Sequence, residues 1–246
     1  MYITTVGLVL RETAYKESSK ILTVLTSAKG KITVNAKGVK RKGSKNGASA
    51  QLLTCSEMTL YEGKSGYWTL TESRSLEEFN GLRNDLTLLA LGSYFAELLD
   101  VVCADDCPEP EILALGLNSL YALSEEKYKP EFVKAVFEMR LMCLVGFLPA
   151  VEFCPVCGKS EIVDPVIDLS GGNIRCRKCS GEHVGIPLSQ GTLSALRYIV
   201  NAQPKKIFSF KINDSTLKIL SDVCESYTLQ QLERGFGTLD FYKSLL

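Results

Sequence analysis

"TTVGLVLRETAYKESSKILTVLTSAKGKITVNAKG", residues 4–38, decides the fold of the first part of the chain. Apolar and polar residues alternate over short stretches of it, and Lys29 with Gly30 marks a turn between two of them. Such alternation predicts β-strands that each bury one face. The residues expected on the apolar faces are Val6, Leu8 and Leu10, followed by Ile32, Val34 and Ala36.

Further strands are predicted on both sides of this alternating pattern. Residues 20–26, "KILTVLT", are almost continuously apolar, as in a strand that is buried on both sides. In "SEMTLYE" and "GYWTLTES" the expected apolar pairs are Met58 with Leu60 and Trp68 with Leu70. Five short strands in about 70 residues favour a small barrel, because closure removes the exposed edges.

From residue 77 the apolar residues recur at helical spacing. Helices are predicted within residues 79–102, 110–123, 130–149, 189–200 and 213–232. Pro110 and Pro130 suit first helical positions, and Ser189 and Asn213 suit N-caps. The predicted organisation has three parts: a β module at residues 1–76, an α-helical domain at 77–150 and 184–246, and a cysteine-containing insert at 151–183.

Four cysteines in the insert follow the spacing of a zinc site: Cys154-x2-Cys157-x18-Cys176-x2-Cys179. Each pair forms a tight turn that presents two thiolates to a tetrahedral ion. Four thiolates leave no open coordination position, so the spacing predicts one structural Zn²⁺. The alternative is two redox-active or unrelated pairs. The only histidine, His183, is expected at the surface rather than among the ligands.

The remaining cysteines are mostly expected to be small core residues: Cys55, Cys103, Cys107, Cys143 and Cys224. Cys103 and Cys107 form a weaker second candidate for a metal site. No apolar run reaches the roughly 18–20 residues of a membrane span, and the first residues do not read as a signal peptide. The expected location is the reducing cytoplasm.

The net charge of zero conceals an asymmetry. Residues 1–76 contain 12 Lys/Arg and 5 Asp/Glu, which gives a net charge of +7. Residues 77–246 contain 16 Lys/Arg and 23 Asp/Glu, which gives a net charge of −7. A basic segment favours a polyanionic partner such as nucleic acid. The alternative is a set of solvated loops.

A cluster of cations in "AKGVKRKGSK" accounts for much of this charge, and its glycines are expected to keep the loop open. An extended basic loop can neutralise successive phosphates of a nucleic acid without reading its sequence. The predicted DNA-binding residues are Lys37, Lys40, Arg41, Lys42 and Lys45, with help from Arg11 and Lys16. Tyr61 and Tyr67 point away from the apolar faces and are weaker candidates for stacking on bases.

No catalytic arrangement is evident. One histidine excludes most His-dependent triads, and neither a Gly-x4-Gly-Lys loop nor a Gly-x-Gly-x-x-Gly motif occurs. The protein is therefore expected not to be an enzyme.

Several motifs together resemble the RecO family of bacterial recombination mediators. The most specific is "FEMRLMCLVGFLPAVEFCPVCG", residues 137–158, which fits the family in order and spacing. "AKG" followed by basic residues, "LGSYFAELLD" and the final "GFGTLDFYKSLL" also fit. The chain departs from the family at "AQLLTCSEM", where many members have Leu-Gln-Pro-Phe.

The resemblance implies an α+β protein with an N-terminal OB-fold, an α-helical domain and an inserted zinc ribbon. It implies a recombination mediator that binds single- and double-stranded DNA, anneals complementary strands and helps load recombinase onto strands coated by single-strand-binding protein (SSB). The implied partners are RecR and the acidic C-terminal tail of SSB, for which Lys134 and Arg140 are possible contacts; the implied location is cytoplasmic, with the nucleoid. Two rival functions remain: a protein-interaction adaptor, and a zinc-ribbon enzyme that processes nucleic acid.

Overall fold

The chain forms two compact units in a computed structural model that describes residues 1–63, 67–181 and 185–246. Residues 1–127 and 236–246 form the first, which we call the barrel unit. Residues 128–235 form the second, which we call the ribbon unit. None of the described helices has the length and apolar composition needed to cross a bilayer.

Strands and helices follow the predicted order along the chain. The strands are β1 (Tyr2–Tyr15), β2 (Ser19–Thr26), β3 (Gly30–Ala36), β4 (Cys55–Glu62), β5 (Trp68–Glu77), β6 (Pro165–Asp168), β7 (Asn173–Cys176) and β8 (Ile186–Pro187). The helices are α1 (Asn80–Asn84), α2 (Leu86–Val102), α3 (Pro110–Ser124), α4 (Pro130–Leu144), α5 (Arg177–Ser180), α6 (Gln190–Asn201), α7 (Asp214–Leu232) and α8 (Gly237–Ser244). Pro110 and Pro130 begin helices, and the side chains of Ser189 and Asn213 cap α6 and α7, as predicted.

Within the described residues, β1 to β5 close into a barrel with the order β1-β2-β3-β5-β4, and β1 also pairs with β4. Neighbouring strands are antiparallel except β3 and β5, which pair in parallel. A five-stranded barrel of this kind is an OB-fold. The predicted fold class is confirmed.

The barrel interior contains most of the apolar faces predicted from alternation. Its buried residues include Ile32, Val34, Ala36, Met58, Leu60, Trp68 and Leu70. In β1 the residue that lies in this cluster is Val9, whereas Leu8, predicted on an apolar face, is buried on the other side of the strand, next to Gly116 of α3. Helix α3 of the same unit covers the outside of β1 at Leu8, so both faces of the strand are apolar there and alternation cannot identify the inner one.

Helix α8 completes the barrel unit. The Phe236 ring meets the Tyr94 ring of α2 edge-on, with 5.7 Å between centroids. The Thr238 backbone N–H donates to the carboxylate of Glu97, also on α2, at 3.2 Å. The domain boundaries predicted at residues 76, 150 and 183 lie where the type of secondary structure changes. In the structure, α1, α2, α3 and α8 belong to the same unit as the barrel. The predicted boundaries stay a prediction.

A buried ion cluster joins α4 to α7 in the ribbon unit. Lys134 is 2% exposed, and its Nζ lies 3.0 Å from Glu138 Oε1 and 2.8 Å from Glu225 Oε2. Glu138, one turn further along α4, is fully buried. Lys134 is buried and its ammonium group is paired with two carboxylates of the same unit, so it is not accessible to a partner's carboxylate. Arg140 is also engaged internally, donating to the Val200 carbonyl at 2.8 Å.

Candidate nucleic-acid interface and metal centre

The four predicted zinc ligands lie together in the ribbon unit. Cys154 and Cys157 lie on a tight turn in which the Gly158 N–H donates to the Cys154 carbonyl at 2.8 Å. Cys176 ends β7, and Cys179 lies in the following short helix α5. The four Sγ atoms are all within 4.8 Å of one another. Of the residues that the structure describes, these alone form a cluster of three or more potential metal ligands among histidine, cysteine and carboxylate side chains.

The spacing of the sulfur atoms fits a tetrahedral ion. A Zn–S bond of about 2.3 Å in tetrahedral geometry places sulfur atoms about 3.8 Å apart. The Sγ atoms of Cys157 and Cys176 are 3.9 Å apart. Four thiolates and no further ligand make a closed site, which suits Zn²⁺ as a structural ion rather than a catalytic one.

The thiol pKa values show why this cluster favours a cation. Burial opposes ionisation of Cys154, but hydrogen bonds from the backbone of Cys157, Cys176 and Val156 lower its pKa to about 6. Desolvation and hydrogen bonding with the Cys157 and Cys154 thiols raise the pKa of Cys179 to about 12. One thiolate therefore hinders ionisation of the next, and a divalent cation relieves this repulsion as it displaces the protons.

The other cysteines do not extend the metal site. Cys55, Cys103 and Cys224 are buried, as predicted for core residues, whereas Cys143 is half-buried and Cys107 is exposed. Burial raises the pKa of Cys103 to about 12, which opposes the thiolate that a metal needs. His183 lies outside the described residues.

The predicted basic loop connects β3 to β4 and is folded against the barrel. Instead of the open loop expected from its glycines, successive turns form, with the Arg41 N–H bonded to the Gly38 carbonyl and the Ser44 N–H to the Arg41 carbonyl. Asn46 anchors the loop to β5, because its side chain donates to the Thr71 carbonyl. The buried Val39, Ala50 and Leu53 anchor it from inside.

All five cations of this loop are exposed. Among the described residues, none of them lies within ion-pair distance of a carboxylate. A loop that is already folded loses little backbone entropy when its exposed cations bind an anion. These cations are Lys37, Lys40, Arg41, Lys42 and Lys45.

Three of the predicted cations line one groove of about 490 Å³ on the barrel. Lys16 comes from the β1–β2 turn, and Lys37 and Arg41 come from the basic loop. The Lys40 N–H donates to the Ser18 carbonyl at 3.0 Å, which holds the two segments together. The other lining residues are Tyr15, Glu17, Ser18, Ser19, Asn35 and Gly38.

Arg11, the remaining predicted cation, is oriented differently. Its Nε lies 3.5 Å from Asp100 Oδ2, and its guanidinium donates to the Thr23 hydroxyl. DNA contact by this residue and by the loop cations stays a prediction. Sequence reasoning missed Asn35 in the groove, whose buried Oδ1 has no hydrogen-bond partner in the described structure. Alternation placed Asn35 on the outer face of β3, but it gave no sign of the groove.

Two family models match consecutive parts of the chain. The family described as Recombination protein O N terminal matches residues 1–79, and Recombination protein O C terminal matches residues 83–240. The chain belongs to the recombination protein O family. The first match contains the barrel with its basic loop, and the second contains the four cysteines.

Relatives in this family align with almost the whole chain. A protein named DNA repair protein RecO from Acetivibrio thermocellus is 34% identical over 245 residues, 99% of this chain and 97% of the relative. The protein of that name from Caldicellulosiruptor bescii is 31% identical over 241 residues, 98% of each chain. One from Listeria monocytogenes is 28% identical over 222 residues, 90% of this chain and 86% of the relative.

Proposed function

We propose that this recombination protein O family member acts in DNA repair as a non-enzymatic mediator of recombination. It binds single- and double-stranded DNA, anneals complementary strands and helps load recombinase onto SSB-coated strands. The observation that carries the proposal is the folded loop with five exposed cations, none of which, among the described residues, lies within ion-pair distance of a carboxylate. Family membership and the relatives named as DNA repair proteins support the biological role.

Annealing by such a surface needs no covalent chemistry. Neutralising the phosphates of two strands lowers their repulsion, and base pairing then supplies the driving force. In this proposal residues 1–76 form the DNA-binding module, Zn²⁺ at the four cysteines has a structural role, and RecR and the SSB tail are protein partners. The proposed location is the cytoplasm, in association with the nucleoid.

Reversing the charge of Lys40, Arg41 and Lys42 to Glu is expected to weaken binding of a single-stranded oligonucleotide about tenfold or more at low salt. Three phosphate contacts are lost, so the slope of log K against log salt falls by about 2 in magnitude. Fluorescence anisotropy across a salt series measures both quantities. The matched control changes the exposed Lys205, Lys206 and Lys218 to Glu, which alters the net charge equally and is expected to preserve most of the affinity.

The same titration separates the proposal from its rivals. Unchanged affinity in the loop variant contradicts the assignment of these cations to DNA. A salt slope near zero for the unmodified protein favours a protein-interaction adaptor. Turnover of DNA or RNA that depends on a divalent metal identifies an enzyme instead.

A further inference from the structure

Two tyrosines form an exposed pair on the barrel. Tyr2 on β1 is directly opposite Tyr61 on β4, and their ring centroids are 4.9 Å apart with the planes inclined at 47°. Tyr2 is 65% exposed and Tyr61 is 40% exposed, so the rings touch each other while presenting much of their surface to water. A third tyrosine, Tyr67, is exposed just before β5.

The strand register connects this tyrosine pair with the cationic groove. Tyr61 pairs with Thr69 on β5, and Thr69 pairs with Asn35 on β3. Residues directly opposite each other project from the same face of a sheet. Tyr61 and Asn35 are therefore on the same outer face, two strands or about 10 Å apart. Asn35 lines the groove that also contains Lys37.

Threonines are the nearest outward-facing neighbours of the pair, and Glu72 on β5 lies one position further, opposite Thr59. Thr4 and Thr59 form the next outward-facing pair along β1 and β4, with 3.2 Å between their hydroxyl oxygens. Thr69 is the outward neighbour of Tyr61 on β5. A phosphodiester chain that leaves the groove and crosses the sheet toward the tyrosines thus passes threonine side chains on the outer face.

We propose that Tyr2 and Tyr61 form a stacking site for unpaired nucleobases of a single strand whose phosphates lie in the groove lined by Lys16, Lys37 and Arg41. The inference rests on the proposed function and specifies which part of the DNA the tyrosines contact, namely its unpaired bases. Aromatic side chains stack on any base, because every base has a π-face. Bases inside a duplex are already stacked, so this site selects unpaired strands.

Stacking also suits an annealing protein for a geometric reason. It occupies the face of a base and leaves the Watson–Crick edge free, whereas recognition by hydrogen bonds would occupy that edge. A strand held at this site can therefore pair with its complement without first being released. The phosphate groove fixes the strand, and the tyrosines hold its bases apart from each other.

The test compares a dT oligonucleotide with an abasic oligonucleotide of the same length and charge. The unmodified protein is expected to bind the dT strand about tenfold more tightly. The double variant Tyr2→Ala/Tyr61→Ala loses this difference, and its affinity for the abasic strand is unchanged. Tyr2→Phe/Tyr61→Phe retains the difference, because the ring rather than the hydroxyl stacks. Tyr121→Ala, which removes an exposed tyrosine from α3, is the matched control and also retains it.

A second measurement uses only the unmodified protein. Quenching of 2-aminopurine fluorescence in a bound single strand supports stacking. Equal affinity of the unmodified protein for dT and abasic strands overturns the inference, while salt-dependent binding of both strands leaves the proposed function intact. If neither strand binds with a salt-dependent affinity, the proposed function fails and the stacking site fails with it.

Discussion

Replacing Lys134 with methionine is expected to lower the free energy of unfolding of the ribbon unit by about 3–5 kcal/mol. Burial alone would lower the pKa of Lys134, but Glu138 and Glu225 outweigh it and raise that pKa above the ordinary 10.5. Lysine is therefore charged at neutral pH. Methionine fills a similar volume but leaves the buried carboxylate of Glu138 without its lysine.

Urea unfolding followed by circular dichroism measures this loss. Lys129→Met is the matched control, because Lys129 also forms an ion pair, 2.6 Å from Asp214, but in water. The control is expected to move the urea midpoint little, since exposed ion pairs are weak. Adding Glu138→Gln to Lys134→Met is expected to restore part of the stability. A Lys134→Met variant no less stable than Lys129→Met contradicts the argument.

The pH dependence has a definite sign. A raised folded-state pKa means that the stability from Lys134 is fully present below the ordinary lysine pKa of 10.5. It is lost as the pH rises through the higher folded-state value. The stability difference between the unmodified protein and Lys134→Met is therefore expected to be constant around neutral pH and to shrink above about pH 10.5.

Changing Cys176 to serine is expected to abolish metal binding and to destabilise the ribbon unit by at least about 4 kcal/mol. A tetrahedral thiolate site that loses one ligand loses most of its affinity for Zn²⁺, and the binding energy of a structural ion contributes directly to folding. Elemental analysis should find about one zinc per unmodified chain and none in the variant. Stability is compared by thermal melting with and without a chelator.

Cys107→Ser is the control for this experiment, because Cys107 is exposed and lies in the barrel unit. It should keep the ion and its melting temperature. A Cys176→Ser variant that still binds one zinc contradicts the ligand assignment. A variant that folds normally and loses only DNA binding contradicts the structural role and points to the adjacent Arg177 and Lys178 as phosphate contacts.

Local patterns in the sequence were sufficient to predict much of this architecture. Alternation identified Ile32 and Val34 as barrel interior, because each strand buries a face regardless of its partner. The spacing of Cys154, Cys157, Cys176 and Cys179 predicted the cysteine cluster, because each Cys-x-x-Cys pair presents two sulfur atoms to one side. Helix beginnings at Pro110 and Ser189 followed from their immediate neighbours.

Features that depend on contacts between residues far apart in the sequence could not be predicted from local patterns. Tyr2 meets Tyr61 only because β1 closes onto β4, and this register is set by the whole barrel. Lys134 would ordinarily be placed at the surface, since its partner Glu225 lies on another helix far along the chain. The folded basic loop depends on the hydrogen bond between Asn46 and β5 as well as on Gly38 and Gly43, which adopt positive φ angles in its turns.

The position of α8 has a consequence for synthesis of the protein. The barrel is translated first, yet the unit that contains it also includes Phe236 and the residues after it. A nascent chain on the ribosome therefore carries an unfinished first unit while the ribbon unit emerges and folds. A premature stop codon at position 236 would leave the ribbon unit's sequence whole and still expose Tyr94 in the unit that carries the basic loop.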